Sequence, residues 1–354
     1  MQNPDANRSL KLVAIGGGTG LSTLLGGLKR FVGECDDGLW LESLSAVVTV
    51  SDDGGSSGRL RDELQILPPG DIRNCMIALS EDSTLLSRLF RYRFRGSGDL
   101  AGHSFGNLFL AALADVTGDF VEAVRLSSEV LASKGHIFPA TLNDVRLVAE
   151  LEDGRVVHGE TQITAARSPI KRLRLEPEHC LPLPATMSAI RAADVITIGP
   201  GSLYTSIIPN LIVAWVADAI AESNATKIFI GNLMTQPGET DGYDLSQHLE
   251  AVRKYAPQIH FDYVVLNNRP ISSRQAEVYQ ADGAYQVGLN EADLGTLDPQ
   301  TEIVRTDLLD PDEMVRHDSE RLARIVITCA ERARSRTLAG VESWFPTGAT
   351  KLLE

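Results

Sequence analysis

The hydrophobic positions of this chain fall into short, almost continuous apolar runs that alternate with segments of helical spacing. Such unbroken runs are typical of strands that are buried on both faces of a sheet. The runs are KLVAIG at 11–16, SAVVTV at 45–50, DVITIG at 194–199, KIFIGN at 227–232 and DYVVLN at 262–267. Helical patterns occur at 71–80, 104–116, 119–133, 210–221, 244–254 and 317–335. This alternation predicts an α/β fold of the Rossmann-like, doubly wound type with a mainly parallel sheet.

One segment, 137–184, breaks the alternation. Apolar and polar residues take turns there on either side of Asp153-Gly154, and such a dipeptide between alternating strands is a strong hairpin signal. We therefore expect a small antiparallel β insertion at 137–184 within a single domain that spans 1–354.

Composition narrows the classes of function. The 354 residues carry a net charge of −14, and this excess of acid argues against a nucleic-acid surface, which needs a basic footprint. Cys35, Cys75, Cys180 and Cys329 are scattered without a CxxC pair, so buried thiols in a reducing compartment are expected instead of a zinc site. The first ten residues do not resemble a signal peptide, and no apolar run approaches the ~18 residues of a membrane span. A cytoplasmic location is expected.

The first candidate for chemistry is the glycine-rich turn in AIGGGTGLSTLL, where a strand passes directly into a helix. Backbone N–H groups without flanking side chains, at the positive end of a helix, suit a phosphate. The loop is not a Walker A motif, because no Gly-Lys-Ser/Thr follows, and it lacks the full GxGxxG, because Leu occupies position 21. The alternative is a tight turn only. The candidate ligand-binding residues are Gly16, Gly17, Gly18, Thr19 and Gly20.

The second candidate is TVSDDGGSSGRLRDE at 49–63, which follows the second strand and should lie at the same sheet edge. Glycines, two carboxylates and two arginines within one loop suit a phosphate ligand, and one carboxylate could hold Mg²⁺ together with phosphates. A solvated turn before a charged helix is the alternative. The candidates here are Ser51, Asp52, Asp53, Gly54, Gly55 and Arg59.

Further polar loops follow other predicted elements. Asp71 is expected to cap the helix at 71–80, and Ser104 the helix at 104–116. Residues 59–95 hold seven arginines against five acidic residues, a local positive patch that suits a small anion, although for Arg91, Arg93 and Arg95 a solvated face is the alternative. A second strand–glycine–helix turn in ITIGPGSLYTSIIPNL adds the candidates Gly199, Gly201, Ser202 and Tyr204. No Ser/His/Asp order or Cys/His pair indicates nucleophilic catalysis, and no metal-ligand cluster is predicted.

With these motifs assembled, the chain resembles the CofD-like superfamily, and within it the YvcK-type branch of gluconeogenesis factors. The matching segments are VAIGGGTGLSTLL, VTVSDDGGSSGRLR, PPGDIRNC, GHSFGNL, GPGSLYTSIIPNL, NLMTQPGET and RHD. The resemblance implies a nucleotide site at the C-terminal edge of a Rossmann-like sheet and adds Asn74, Asn107 and Asn232 as contacts. It also implies that Arg316 and Tyr279 contact a UDP-sugar.

The resemblance leaves two functions open. The YvcK-type branch implies a factor that binds UDP-N-acetylglucosamine without turnover, needs no cofactor and supports cell shape and wall synthesis during gluconeogenic growth. The sister branch implies an enzyme that transfers a phospholactyl group from a nucleotide diphosphate donor to the deazaflavin Fo with Mg²⁺. A homo-oligomer is compatible with either function.

Overall fold

The computed structural model of the chain describes residues 9–33, 40–81, 85–289 and 298–344, the last eight of them without their side chains. Cys35, for which the sequence predicts a buried thiol, lies outside these residues, as do the two chain ends at 1–8 and 345–354. Ten strands are present: β1 Ser9–Gly16, β2 Trp40–Val48, β3 His136–Pro139, β4 Arg146–Leu151, β5 Val156–His158, β6 Ile170–Glu176, β7 Val195–Ile198, β8 Thr226–Ile230, β9 Tyr263–Asn267 and β10 Glu302–Thr306.

Thirteen α-helices lie in the described ranges. They are α1 Gly18–Leu28, α2 Gly55–Leu64, α3 Gly70–Leu79, α4 Leu85–Arg91, α5 Phe105–Thr117, α6 Phe120–Val130, α7 Glu160–Ala166, α8 Pro184–Ala192, α9 Ile208–Leu211, α10 Val216–Glu222, α11 Leu245–Tyr255, α12 Ser273–Ala281 and α13 Ser319–Trp344. A 3₁₀ turn, Lys29–Phe31, follows α1, and a π turn, Leu203–Ile207, precedes α9.

Seven strands form a wholly parallel sheet in the order β10-β9-β8-β7-β1-β2-β3. Every residue of β7 and β9 is buried, because helices cover both faces, and this explains their unbroken apolar runs. The predicted doubly wound α/β fold is confirmed. Two edge strands were not predicted. β3 is short and ends in proline, and β10 is only half-buried, so neither carries a strong apolar run.

The antiparallel insertion is a three-stranded sheet in the order β5-β4-β6. β4 and β5 pair antiparallel around the turn at Asp153-Gly154, as predicted. The predicted boundary at 137 needs correction, because residues 137–139 belong to β3 and pair in parallel with β2 in the main sheet.

The helix predicted at 210–221 is wrong as a single element. The chain forms the π turn, α9 and α10 instead, with a break at Trp215, whose φ of +61° is left-handed and cannot continue a right-handed helix. Within the described ranges, no single helix is long and apolar enough to cross a bilayer. Only the bent pair Leu203–Leu211 and Val216–Glu222, at 74°, meets that test by length and composition.

Three of the four cysteines can be placed. Cys75, Cys180 and Cys329 are free and buried, as the sequence predicts. Burial raises the pKa of all three thiols, so they are poor nucleophiles.

Candidate functional site

A cleft of about 1130 Å³ opens at the C-terminal edge of the parallel sheet. The beginning of α1 forms its centre. One arm is lined by α3 and α4 through Arg73, Asn74 and Arg91, and the other arm by the segments at 232–237, 279–284 and 310–319. This is the edge at which open α/β sheets bind ligands.

Ten of the twenty predicted ligand-binding residues line the cleft. They are Gly17, Gly18, Thr19, Gly20, Asn74, Gly201, Ser202, Asn232, Tyr279 and Arg316. The other ten lie outside its lining, although several are close behind it. They are Gly16, Ser51, Asp52, Asp53, Gly54, Gly55, Arg59, Asn107, Gly199 and Tyr204.

The glycine turn presents a helix N-terminus to the cleft. α1 begins at Gly18, and helix geometry leaves the N–H groups of Thr19 and Gly20 without intrahelical acceptors. Gly18 has a φ of +63°, and a Cβ there would meet only Ser206 Oγ at 3.7 Å, so that position faces open space. The N–H groups of Thr19 and Gly20 can therefore receive an anion from the cleft, whereas that of Gly18 donates to Asp71.

Position 20 requires glycine for a structural reason. A Cβ at this position would lie 2.5 Å from the carbonyl oxygen of Pro200, which is backbone and cannot move aside like a flexible side chain. The turns that follow β1 and β7 therefore touch through Gly20, and this contact brings the two glycine loops together.

We expect Gly20→Ala to destabilise the fold by about 1–3 kcal/mol, because the added methyl overpacks against backbone. Gly26→Ala is the matched control in the same helix, since nothing lies within 4 Å of its Cβ, and it should be neutral or slightly stabilising. Chemical denaturation of both variants measures the difference. Equal midpoints would show that the two loops are not in tight contact.

The acidic loop after β2 is held by its own hydrogen bonds. Asp52 Oδ1 accepts from the Gly54 N–H at 2.8 Å, and Asp53 Oδ1 accepts from both the N–H and the hydroxyl of Thr161. Arg59 donates to the carbonyl oxygens of Asp99 and Ala101. The structural alternative therefore explains Asp53 and Arg59, and Asp53 in particular joins the antiparallel insertion to the main sheet.

The remaining predicted residues outside the lining also have structural contacts. The Gly16 carbonyl accepts from Asn210, and the Ser51 hydroxyl bonds to Thr49. Gly55 and Gly199 take left-handed φ angles of +48° and +83°, as their turns require. Tyr204 is buried, and its hydroxyl bonds to that of Tyr243 at 3.1 Å, so it is a core residue away from the cleft.

Two predicted helix caps need correction. The N-cap position of α3 is Pro69, and Asp71 lies in the first turn. Ser104 does occupy the N-cap position of α5, but its hydroxyl donates to the Phe90 carbonyl instead of capping the helix. His103 lies outside the cleft lining and bonds to Ser56.

Asp71 lies directly behind the glycine turn, where the Gly18 N–H donates to it. Burial, and then the nearby charge of Asp52, raises the pKa of Asp71 to about 6. Burial likewise raises the pKa of Glu160 to about 9 and that of Glu239 to about 7. No group of three or more His, Cys, Asp or Glu side chains in the described part of the chain could hold a metal by itself. Asp52 and Asp71 are the pair that could hold Mg²⁺ if ligand phosphates supplied other oxygens.

The raised pKa of Asp71 predicts a reversed pH dependence of stability. The folded protein binds this proton more tightly than the unfolded chain, so the carboxylate costs stability as pH rises from about 4 to above 6. We expect Asp71→Asn to be more stable than the parent by on the order of 2 kcal/mol at pH 8, with little difference at pH 4. Urea unfolding at both pH values checks this, and a pH-independent difference would contradict it.

Sequence reasoning missed Arg73 as a site residue. It lines the cleft with only 7% of its surface exposed, and it donates to Asn74 Oδ1 at 2.7 Å and Asn107 Oδ1 at 2.9 Å. Helical spacing places Arg73 on the same face as the buried Met76 and Ile77. An arginine on an otherwise apolar face is the sequence feature that could have identified Arg73 as a site residue. Asn107, itself outside the lining, therefore supports the site by holding Arg73.

The opposite arm carries the two residues that the family resemblance implied. The Tyr279 hydroxyl accepts the Val315 N–H at 3.1 Å, which fixes the ring at the cleft wall. Arg316 is exposed, and its guanidinium donates to Met314 Sδ at 3.6 Å and forms no ion pair with a carboxylate of the described residues. This arm combines a ring for stacking with a cation that is available to an anion.

The loops after β7 and β8 also line the cleft and form its floor. Asn232 Oδ1 accepts the Gly201 N–H at 3.3 Å, and Gln236 donates to Ser202 Oγ at 2.6 Å. Gln236 Oε1 is buried without a partner, so one polar atom of the floor remains for a ligand. These contacts hold the second glycine turn against the loop that follows β8.

A second groove, of about 930 Å³, lies between α2, α5 and the loop at 142–144. Its lining is mainly aliphatic and includes neither glycine turn. It therefore offers no phosphate-binding backbone and serves as the structural contrast to the cleft.

Comparisons with known proteins agree with this geometry. The family described as 2-phospho-L-lactate transferase CofD matches residues 12–309. A gluconeogenesis factor of Halalkalibacterium halodurans is 44% identical over 324 residues, covering 92% of this chain and 98% of the relative. One of Bacillus subtilis is 43% identical over 318 residues, covering 90% and 97%. A Bacillus halodurans crystal structure superimposes with a TM-score of 0.84 at 43% identity, covering 90% of this chain and 99% of the other.

Proposed function

Because this chain belongs to the CofD family, we propose that its cleft binds a nucleotide diphosphate sugar, with UDP-N-acetylglucosamine as the leading ligand. The observation that carries the proposal is the juxtaposition, in one cleft, of the open N-terminus of α1 with Tyr279 and the unpaired guanidinium of Arg316. The chain would act in the cytoplasm as a regulatory factor, without turnover, that supports gluconeogenic growth and cell shape.

Each part of such a ligand has a complementary group. A diphosphate suits the α1 N–H groups, where the helix dipole favours negative charge, and Arg316 can form two parallel bonds to phosphate oxygens. The Tyr279 ring offers a flat apolar surface to a pyrimidine base. Two relatives, from Halalkalibacterium halodurans and Bacillus subtilis, are named gluconeogenesis factor. These names favour the regulatory role for this chain.

A phospholactyl-type transferase is the second candidate, and the pair Asp52 and Asp71 favours it. Burial, and then the nearby charge of Asp52, raises the pKa of Asp71, and together the two carboxylates could hold Mg²⁺ beside a phosphate on the glycine turn. Mg²⁺ would neutralise charge on the transferring phosphoryl group. In this function Asp52 and Asp71 would hold the ion, and the α1 N-terminus would position the donor.

Calorimetric titration with UDP-N-acetylglucosamine, UDP-glucose, GDP and NAD tests the proposal. We expect the two UDP-sugars to bind and NAD to give no heat of binding. A mixture of this protein, a guanosine diphosphate donor, Fo and Mg²⁺ is then assayed for product. Binding of GDP alone, with product formation, would replace the regulatory function by the transferase.

A further inference from the structure

Arg73 is a buried cation without an ionic hydrogen bond. Its two terminal nitrogens donate to the neutral amide oxygens of Asn74 and Asn107, and its Nε is buried without a hydrogen-bond partner among the described residues. Burying a charge is costly unless an opposite charge bonds to it. Arg73 also lines the cleft, so a ligand can reach it.

Arg61 shows how another buried arginine of the fold is neutralised. Arg61, 2% exposed against 7% for Arg73, pairs with the carboxylate of Asp144, although its Nη1 is also buried without a partner in the described residues. Asp52 and Asp71 lie near enough to Arg73 to influence its charge, yet neither hydrogen-bonds to it. Its positive charge is therefore oriented by neutral groups and only partly balanced.

The guanidinium is also held in place before any ligand arrives. Asn107 bonds through its amide nitrogen to Ser56 Oγ at 3.1 Å, and Ser56 bonds to His103 Nδ1 at 3.1 Å. The two amides thus fix the plane of Arg73 from α3 and α5. A cation fixed in advance loses little conformational entropy when it binds an anion.

The position of Arg73 indicates which part of a ligand it meets. Helix α1 contacts both α3, which carries Arg73, and α13, which Arg316 precedes, so the two arginines line the cleft from different elements beside α1. A nucleotide with its base beside Tyr279 and its diphosphate at the α1 N-terminus extends its distal group toward Arg73. This step rests on the proposed function, which places the base and the diphosphate.

We propose that Arg73, held by Asn74 and Asn107, forms an anion subsite for a carboxylate or phosphoryl group at the distal end of a nucleotide diphosphate ligand. The subsite adds affinity for ligands with a charged distal group, while neutral UDP-sugars such as UDP-N-acetylglucosamine still bind through the base and the diphosphate. Arg316 serves the diphosphate that all these ligands share.

Matched ligands test the proposal by calorimetry. UDP-glucuronic acid and UDP-glucose differ only at C6, where a carboxylate replaces a hydroxymethyl group, and UTP against UDP tests a terminal phosphoryl group. We expect the parent protein to bind UDP-glucuronic acid more tightly than UDP-glucose, or UTP more tightly than UDP, by about ten-fold or more in affinity. This is the difference that one charged hydrogen bond contributes. The pair that shows the preference identifies the anion.

Variants assign the preference to Arg73. Arg73→Gln should abolish it by lowering the affinity for the charged ligand about ten-fold more than the affinity for the neutral one, and Arg73→Lys should restore part of the preference. Asn107→Asp keeps the shape but gives Arg73 a carboxylate partner, so it should also abolish the preference. Arg88→Gln is the control. It removes an equal charge from an exposed position of α4 that does not line the cleft. Thermal melting confirms that each variant is folded.

Two results would overturn the subsite. One is equal affinity of the parent protein for the charged and neutral ligands. The other is that Arg73→Gln lowers the affinities for UDP, UDP-glucose and UDP-glucuronic acid by the same factor, which would place the diphosphate itself on Arg73. If no uridine ligand binds, the proposed function fails, and inorganic phosphate becomes the probe. Phosphate binding that Arg73→Gln removes would then support the subsite, and no such binding would refute it.

Discussion

Gly18→Val is expected to abolish nucleotide binding, with a loss of about a hundred-fold or more in affinity. The new side chain would stand where the cleft is open above Ser206, between a phosphate and the N–H groups of Thr19 and Gly20. Losing even two charged hydrogen bonds, each worth roughly 1.5–3 kcal/mol, is enough for this effect. Titration with UDP-N-acetylglucosamine measures it.

The same substitution strains the backbone, and a control must separate the two effects. Gly18 has a φ of +63°, which a β-branched residue avoids, so some loss of thermal stability is expected. Gly18→Asn is the companion variant, because asparagine tolerates left-handed φ and yet fills the same space. A folded Gly18→Asn protein with parental affinity would show that the turn has only a structural role.

Arg316→Ala is expected to weaken UDP-sugar binding about ten- to a hundred-fold, since a charged hydrogen bond contributes roughly 1.5–3 kcal/mol. Arg316→Lys should also bind less tightly although it keeps the charge, because lysine lacks the planar fork that matches phosphate oxygens. Calorimetry on the three proteins side by side gives both differences.

Arg274→Ala is the matched control for Arg316. Arg274 lies on α12, which also carries Tyr279, and its partner Glu313 is just as exposed, so removing it changes the local charge without touching the cleft lining. An exposed pair of this kind contributes little to stability. If Arg316→Ala and Arg274→Ala both bind within about two-fold of the parent, Arg316 is a solvent-exposed residue outside the site.

The buried strands and the two glycine turns were predictable from the sequence, because both depend on local patterns. β7 and β9 are buried throughout and are therefore mainly apolar, and Gly18 and Gly199 need the positive φ that glycine supplies. The edge strand β10 was not predictable, because a half-buried strand has no comparable run of apolar residues.

The candidate site was harder to predict, because several of its polar residues have partners that are distant in sequence. Asp53 bonds to Thr161, which belongs to the insertion 108 residues later, so a local reading of the acidic loop cannot tell a ligand contact from a structural one. Arg73 shows the opposite error. It reads as an ordinary helix residue until Asn107, 34 residues away, is seen to hold it at the cleft.

The central claim is that a nucleotide sugar binds in the cleft around the α1 N-terminus, and hydrogen–deuterium exchange with and without UDP-N-acetylglucosamine tests it most directly. The account predicts slower exchange, on ligand addition, in peptides covering 17–23, 201–206, 232–237 and 310–319, which line the cleft. It predicts no change in peptides covering 108–120, which line the second groove. Protection confined to 108–120, with unchanged exchange at 17–23, would contradict the account.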